Sequence, residues 1–412
     1  YAVTGDEKHK ILMERYERPR LTEPLWRGED VLTNMHANAT VPEIHGCARA
    51  YEVTGDERYL TIVKNYWQQA VTKRGMFVTG GQTAGEVWTP PHRQSARLNH
   101  NNQEHCVVYN MIRLADYLYR QTGDKEYLDY IELNLINGLF AQAFWKDTYE
   151  TLSNAISRDE GIVTYYLPLE AGSHKNWGSR TEDFWCCHCT AVQGPSRYRE
   201  WLWYRGEDHS LTLAQFLPNR LSMTEGDKEL HLTLSVTDRS GECVKITGLG
   251  AKYPTRPESD SYTLQVEAPD GPVSQTLRVR LPGWLSGPAV FTLNGKACTP
   301  TVQDGYACLS REWQTGDTLQ MEYPKALRCC PLEDDPNTVA FRYGPVVLAG
   351  LSEARLLHGD CNGPSTMLIP HNEREWGNWN IQFRTVNQDF GFVFRPLYDI
   401  GRETYTIYYQ VV

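Results

Sequence analysis

The sequence lacks long hydrophobic runs and clusters of basic residues. No apolar stretch in the 412 residues approaches the roughly 20 residues that a membrane-spanning helix needs. Lys and Arg nowhere form a block, and the 41 of them are outnumbered by 51 Asp and Glu, for a formal charge of −10. Because nucleic-acid surfaces need clustered cations, we expect neither a nucleic acid nor a membrane as a partner.

The start of the chain lacks an initiator Met, and residues 1–6 lack the apolar segment of a secretory signal. Eleven cysteines, an odd number, cannot all pair in disulfides. Cys186, Cys187 and Cys189 also lie too close in sequence to bridge one another easily. This clustering favours reduced thiols or thiolates on a metal. The compartment is left open, with the bacterial cytoplasm or periplasm as the expectation.

A Thr-Gly-Asp motif occurs three times in the first half, starting at Thr4, Thr54 and Thr122. The glycine supplies the left-handed residue that ends one helix, and the aspartate caps the next helix. Helical hairpins repeated at this spacing predict a solenoid or a closed α/α toroid. Since the first copy has almost no helix before it, we expect that a preceding segment is missing and leave open whether the chain without it is active.

After about Tyr204 the periodicity changes to the alternation of β-strands. Residues 211–216, 230–236 and 277–281 alternate apolar and polar side chains, and Asn-Gly and Asp-Gly turns separate further short strands. This pattern predicts a β-sandwich, and a second β block follows Pro331. We therefore predict three domains, helical over residues 1–205 and β-sandwiches over residues 206–328 and 329–412.

Two short clusters supply metal-ligand chemistry. Glu104 and Cys106 stand two apart at the start of an amphipathic helix, and Cys186 and Cys187 follow some eighty residues later. Four ligands from two clusters are typical of zinc, which thiolates select over magnesium or calcium. A purely structural zinc site or inert buried thiols remain alternatives at this point.

A glycine-rich loop and two histidines are weaker candidates. Residues 79–86 contain three glycines, so this loop could approach a ligand closely and present Glu86 as a general acid/base. A loop glutamate is more often simply solvated. His36 and His45 each fit either a substrate contact or a satisfied core histidine.

Five segments together resemble glycoside hydrolase family 127, the β-L-arabinofuranosidase family, and its sister family 146. The order and spacing of the segments match as well as their residues, and the resemblance covers essentially the whole chain. The segments are residues 36–42, Thr79-Gly80-Gly81 with Gly85-Glu86, Glu104-His105-Cys106, residues 165–169 and Trp185-Cys186-Cys187.

The resemblance implies a catalytic (α/α)6 barrel followed by two β-sandwiches, and a longer N-terminal part than this chain has. It also implies a role for each matched residue. Zinc would be held by Glu104, Cys106, Cys186 and Cys187, with Cys186 as nucleophile, Glu86 as general acid/base, His36 contacting the sugar and Tyr165 or Tyr166 lining the pocket. His188 and Cys189 interrupt the family pattern and are kept as competing ligands.

The implied function is a retaining exo-glycoside hydrolase that releases terminal β-L-arabinofuranose from an oligosaccharide or glycan. The alternatives are a related pectin side-chain glycosidase with a different terminal sugar, and a non-catalytic sugar-binding protein with structural zinc. A homodimer is one open option for the assembly.

Overall fold

The computed structural model describes residues 1–144, 162–179, 183–237, 243–245, 252–254, 258–371 and 381–412. Helices come first in this part of the chain, and strands dominate after about residue 203. The α-helices are α1 (Glu7–Tyr16), α2 (Pro19–Trp26), α3 (Ala37–Thr54), α4 (Glu57–Trp67), α5 (His105–Thr122), α6 (Lys125–Asn134), α7 (Phe140–Gln142) and α8 (Cys186–Arg197). Single π-helical turns, Gln68–Thr72 and Leu135–Leu139, extend α4 and α6.

The repeated Thr-Gly-Asp motif forms the helix–turn–helix corners predicted for it. Gly55 and Gly123 end α3 and α5 with φ of 70° and 70°, which glycine adopts without steric cost. Asp56 and Asp124 then cap α4 and α6 by accepting the backbone N–H two residues on. The prediction of helical hairpins is therefore confirmed, whereas their closure into a toroid stays a prediction.

The helical part has its own core. Helix α3 packs against α4 and α5, and α5 packs against α6 and α8. Aromatic rings fill the space between α4 and α6, where Trp67 meets Tyr127 and Tyr130 edge-on at centroid distances of 5.1 and 4.8 Å. None of the helices in the described ranges is both long and apolar enough to cross a membrane.

The strands begin with two short pairs inside the helical part and continue to the end of the chain. They are β1 (Thr83–Ala84), β2 (Val87–Trp88), β3 (Ala143–Phe144), β4 (Ile162–Val163), β5 (Trp203–Arg205), β6 (Leu211–Leu213), β7 (Asn219–Glu225), β8 (Lys228–Val236), β9 (Cys243–Lys245), β10 (Lys252–Pro254), β11 (Ser259–Glu267), β12 (Val273–Arg280), β13 (Val290–Leu293), β14 (Lys296–Cys298), β15 (Thr301–Gln303), β16 (Tyr306–Trp313), β17 (Thr318–Pro324), β18 (Leu327–Leu332), β19 (Asp335–Tyr343), β20 (Val346–Gly350), β21 (Leu356–Leu357), β22 (Leu368–Pro370), β23 (Phe383–Thr385), β24 (Val393–Pro396) and β25 (Tyr409–Val411).

Two sheets share one hydrophobic core in the middle of the chain. Their strand orders are β14-β13-β17-β11-β8-β7 and β15-β16-β12-β6-β5. Alternate residues of β8, namely Leu230, Leu232 and Leu234, are buried in that core. The middle part is therefore sandwich-like, in line with the alternation in the sequence.

The described strands after residue 327 form a single eight-stranded sheet. Its order is β21-β25-β19-β20-β24-β23-β22, with β18 pairing to β19. Apolar clusters cover both faces, because Ala340 points into one cluster and the adjacent Val339 and Phe341 point into the other. The boundaries at residues 205 and 328, and a second pair of facing sheets, stay predictions.

Candidate active site

Two helix N-termini bring the predicted metal ligands together. Glu104 is the N-cap residue of α5, and Cys106 is the second residue of that helix. Cys186 and Cys187 are the first two residues of α8, which packs on α5. Unpaired N–H groups and the helix dipole at these ends favour anionic side chains. The fold therefore gathers four potential anions where backbone polarity favours them.

The ligand atoms of these four residues lie within 4.8 Å of one another. The Sγ atom of Cys187 is 3.5 Å from that of Cys106 and 3.9 Å from that of Cys186. The Sγ atom of Cys186 is also 3.6 Å from Oε1 of Glu104. Three of the four residues are buried and Cys186 is exposed, so the cluster opens to solvent on the Cys186 side.

The four side chains of the cluster can all carry a negative charge, and at this spacing they need a cation to neutralise them when they are ionised. Burial, and then the charge on Cys106, raises the pKa of Glu104 to about 8. Hydrogen bonds from Cys187 and Thr190 lower the pKa of Cys106 to about 7, whereas burial and the proximity of Cys106 raise the pKa of Cys186 to about 12. Burial, together with mutual repulsion, thus keeps protons on most of these groups. Oε2 of Glu104 is buried without a hydrogen-bond donor among the described residues, so the arrangement can bind a metal ion.

Thr190 belongs to this site and was missed by the sequence interpretation. Its hydroxyl donates a hydrogen bond to Sγ of Cys106 at 3.2 Å. Thr190 follows Cys187 by three residues in α8, so the helical period places both on one face of the helix. That spacing was the signal that could have identified it.

The predicted acid/base, Glu86, is displayed on a tight hairpin. Strands β1 and β2 pair Ala84 with Val87, so Gly85 and Glu86 form the whole loop. Both loop residues have positive φ, 59° and 60°, as a type I′ turn requires. A glutamate held in this conformation costs backbone energy that a plain surface loop would avoid, which is common at functional sites.

The hydroxyl of Tyr165 links Glu86 to the cysteine cluster. It donates a short hydrogen bond to Oε1 of Glu86, and Sγ of Cys186 lies 3.7 Å from the same hydroxyl. Two groups that share one hydroxyl are separated by at most two hydrogen-bond lengths. Glu86 therefore stands beside the exposed sulfur of the cluster, and Tyr165 is the tyrosine that joins them.

His36 approaches Glu86 from the other side. Its Nδ1 accepts the backbone N–H of Ala39 as the N-cap of α3, which leaves the proton on Nε2 in the neutral ring. That Nε2 lies 3.6 Å from Oε2 of Glu86. The structure thus places His36, Glu86 and Tyr165 together beside the exposed Cys186, on the side where the cluster opens to solvent. His36 is exposed, and Glu86 and Tyr165 are half-buried.

The two remaining candidates, Tyr166 and His45, make different contacts. The ring of Tyr166 lies tilted against that of Tyr165, with 4.6 Å between the centroids, but its hydroxyl forms no hydrogen bond with Glu86 or Cys186 in the described structure. His45 is bonded through Nε2 to the carbonyl of Asn110 at 3.0 Å, as expected of a satisfied core histidine. Burial lowers the pKa of His45 to about 4, which keeps it neutral.

His188 and Cys189 lie outside the four-ligand cluster found among the described residues. Both ring nitrogens of His188 are buried without a hydrogen-bond partner there, and Cys189 is exposed. The ten cysteines whose side chains the structure describes are all free thiols. The observed geometry therefore favours the four predicted ligands over either competitor.

Comparison with known proteins gives two family matches and several similar structures. Residues 1–200 match the profile described as the β-L-arabinofuranosidase GH127 catalytic domain, and residues 211–325 match the GH127 middle domain. A curated relative, the non-reducing end β-L-arabinofuranosidase of Bifidobacterium longum subsp. longum, is 25% identical over 325 residues. That match covers 73% of this chain but 43% of the relative, so the chain spans less than half the relative's length.

Solved structures of two GH127 proteins share the fold. A GH127 β-arabinofuranosidase superposes with a TM-score of 0.75 at 19% identity, covering 100% of this chain and 67% of that one. A GH127 β-L-arabinofuranosidase from Geobacillus stearothermophilus T6 gives a TM-score of 0.69 at 18% identity, covering 100% and 70%. These likenesses show a helical first part and β-rich later parts in the same order. With both profiles matching in sequence, the chain belongs to glycoside hydrolase family 127, the β-L-arabinofuranosidase family.

Proposed function

We propose that this chain carries the active site of a retaining exo-glycoside hydrolase that releases terminal β-L-arabinofuranose. The observation that carries the proposal is the hydroxyl of Tyr165 between Glu86 and the exposed sulfur of Cys186. Retaining glycosidases place nucleophile and acid/base about 5–5.5 Å apart. Two groups that contact one hydroxyl lie no more than two hydrogen-bond lengths apart, which is compatible with that spacing.

The metal we propose is zinc, held by Glu104, Cys106, Cys186 and Cys187. A tetrahedral zinc ion with Zn–S bonds of about 2.3 Å has its sulfur ligands about 3.8 Å apart. The observed spacings of 3.5 Å for Cys106–Cys187 and 3.9 Å for Cys186–Cys187 bracket that value. Three sulfurs and one oxygen also make a set that suits zinc better than magnesium or calcium.

When bound, zinc would hold the sulfur of Cys186 as a thiolate at neutral pH. Cys186 then attacks the anomeric carbon, forming a C–S bond as the glycosidic C–O bond breaks. Glu86 donates its proton to the leaving oxygen and afterwards takes a proton from the water that attacks the same carbon. The C–S bond breaks, Cys186 returns to a thiolate, and two inversions retain the anomeric configuration.

His36, Tyr165 and Tyr166 are the residues that we assign to substrate binding. The first two already contact Glu86, and the ring of Tyr166 lies tilted against that of Tyr165. A terminal sugar whose glycosidic oxygen meets Glu86 would therefore lie against all three side chains. The family's arabinofuranosidase members support β-L-arabinofuranose as that sugar, on an oligosaccharide or glycan.

The proposal is tested by a screen of p-nitrophenyl furanosides, with the zinc content measured in the same sample. We expect release from the β-L-arabinofuranoside and about one zinc ion per chain. Glu86→Gln and Cys186→Ser should reduce turnover by about 10²- to 10⁴-fold. Glu207→Gln and Cys298→Ser, at an exposed carboxylate and a cysteine outside the cluster, are the matched controls.

The outcomes separate the alternatives. Release from a different furanoside alone would favour a related pectin side-chain glycosidase. Sugar binding and zinc without any turnover would favour a non-catalytic binding protein with a structural metal. Turnover that survives both Glu86→Gln and Cys186→Ser would refute the mechanism.

A further inference from the structure

A fully buried glutamine, Gln142, lies between the two chain segments that carry Glu104 and Tyr165. It is the last residue of α7. Its Nε2 donates a hydrogen bond to the carbonyl of Gln103 at 3.0 Å, and it lies 3.3 and 3.4 Å from the carbonyl oxygens of Tyr165 and Thr164. Gln103 directly precedes the predicted metal ligand Glu104 in the sequence. One side-chain amide therefore joins the start of α5 to the segment of Tyr165.

The main chain of Tyr165 also contacts both helices that carry the cluster. Its carbonyl oxygen accepts the backbone N–H of His105 in α5 at 3.1 Å, and Sγ of Cys187 in α8 lies 3.9 Å from the same oxygen. The backbone N–H of Thr164 donates to the carbonyl of Gln142 at 2.9 Å. The position of Tyr165 relative to the sulfurs is thus set at its main chain, where Gln142 contributes through its backbone and its side chain.

The orientation of the Gln142 amide carries a cost. Its Oε1 is buried without a hydrogen-bond donor among the described residues. Turning the amide over would place that oxygen against three carbonyl oxygens, so these acceptors fix the direction of the group. An apolar side chain of similar size would avoid the unmet acceptor. An amide at this position is therefore explained by the carbonyls that it holds together.

We propose that Gln142 is a positioning residue that fixes the hydroxyl of Tyr165 relative to the four-ligand cluster, a role that rests on the proposed function of that site. Glu86 and Cys186 both contact this hydroxyl. In catalysis, a misplacement of about 1 Å can cost roughly 100-fold in rate. Because the side chain of Gln142 bonds to main-chain carbonyls, it acts on the reaction through the position of Tyr165.

The test is a double-mutant cycle between Gln142→Met and Tyr165→Phe, with kcat/KM measured on p-nitrophenyl β-L-arabinofuranoside. Gln142→Met alone should lower kcat/KM by about tenfold or more. In the Tyr165→Phe chain the same change should lower it by less than about threefold, because the hydroxyl whose position matters is already gone. Equal losses in the two chains would overturn the proposal, since they would show a general effect on the fold.

Gln275→Met is the matched control. Gln275 of β12 is also a buried glutamine whose Nε2 donates to two carbonyls, those of His209 and Thr276. Its replacement removes the same kind of contact in the middle sheets and should change kcat/KM by less than about threefold. If Gln142→Met does not fold, Gln142→Glu takes its place in the cycle, because a neutral carboxyl has nearly the same shape and keeps one donor.

Hydrogen exchange measures the positioning without a substrate. The backbone N–H of His105, which bonds to the carbonyl of Tyr165, should exchange at least about tenfold faster in Gln142→Met than in the unsubstituted chain. Its exchange should be unchanged in Gln275→Met. Unchanged exchange in Gln142→Met would overturn the proposal. A chain that hydrolyses no furanoside would refute the proposed function, and exchange at His105 would still decide whether Gln142 holds Tyr165 against α5.

Discussion

The residues of the candidate active site meet at one side-chain hydroxyl, that of Tyr165. Burial, followed by its contacts with Glu86 and Cys186, raises the pKa of Tyr165 well above its ordinary value. The hydroxyl therefore stays protonated and remains a hydrogen-bond donor near neutral pH. It holds Glu86 near the sulfur without carrying a charge of its own, so its proposed contribution is positioning and polarity.

Removing this hydroxyl should slow catalysis without removing the metal. For Tyr165→Phe we expect kcat/KM to fall by about 10- to 100-fold, because Glu86 loses the donor that orients it. Tyr16→Phe, at an exposed tyrosine of α1 outside the candidate active site, is the matched control and should change kcat/KM by less than about threefold. Zinc content should be equal in both variants. Equal kinetics in both would contradict the role given to Tyr165.

At the level of elements, the N-caps of helices α4 and α6 explain why the Thr-Gly-Asp motif occurs more than once. Asp56 accepts the N–H of Arg58 at 2.9 Å, and Asp124 accepts that of Glu126 at 3.0 Å. Each cap satisfies a donor that has no partner within its helix. The repeated residues are thus explained by local backbone chemistry.

Replacing one cap should lower stability by a small, defined amount. Asp56→Ala should reduce the free energy of unfolding by about 1 kcal/mol, measured by urea denaturation. Asp56→Asn keeps a side-chain acceptor and should cost only a few tenths of that amount. An equal loss in both variants would show that Asp56 stabilises α4 through its charge rather than through the capping hydrogen bond.

The segment that carries Tyr165 is anchored to the end of the chain by a buried lysine. Lys175 donates to the carbonyls of Leu397 and Ile400 at 2.8 and 2.7 Å. Trp177 adds a hydrogen bond to the carbonyl of Gly401. The position of Tyr165 therefore depends on contacts with residues more than 200 positions later in the chain.

This anchor should make stability depend on pH. Burial lowers the pKa of Lys175 to about 7, whereas an unfolded lysine has a pKa of about 10.4. Between these values the unfolded chain binds a proton that the folded chain does not, so the free energy of unfolding should rise with pH above about 7. Urea denaturation at pH 7, 8 and 9 measures the slope.

Lys175→Met is the comparison for that slope. Without the lysine, the increase of up to about 1 kcal/mol per pH unit should disappear, whatever the absolute stability of the variant. Parallel slopes in the two proteins would show that Lys175 titrates in the folded chain as it does in the unfolded one.

Across the whole molecule, one buried arginine joins the helical part to the middle sheets. Arg280 of β12 is fully buried and pairs with Asp129 and Glu132 of α6, and its Nε donates to the carbonyl of Ala214. Asn137 makes a similar link to the last sheet, through Pro345 and Val347. These polar contacts therefore hold the helical part against the middle sheets and the last sheet. If one part moved, the buried polar groups would lose their hydrogen-bond and ion-pair partners.

Breaking the Arg280 network should be far costlier than breaking a surface ion pair. Arg280→Met leaves the buried Glu132 without its cation and should lower the free energy of unfolding by about 3–5 kcal/mol. Arg220→Met, at the exposed pair with Glu267, should cost less than about 1 kcal/mol. Comparable losses in the two variants would contradict the anchoring role of Arg280.

Much of the site could be predicted because its chemistry is visible in short stretches of sequence. Glutamate and cysteine at one helix start, and paired cysteines at another, predicted a ligand set that the structure brings within 4.8 Å. The choice between Tyr165 and Tyr166 could not be predicted, since adjacent residues in an irregular segment point in directions set by their surroundings. Thr190 was missed because a hydroxyl becomes significant only once a sulfur lies beside it.

The local signals of the sequence were enough to determine the helix corners, the alternating strands and the types of side chain available for chemistry. They act over a few residues, through caps, turns and side-chain periodicity. The meeting of Cys106 with Cys187, of Glu86 with Tyr165 and of Arg280 with Glu132 required the folded chain. These contacts join residues about 80 to 150 positions apart, and packing between elements, rather than local preference, sets such distances.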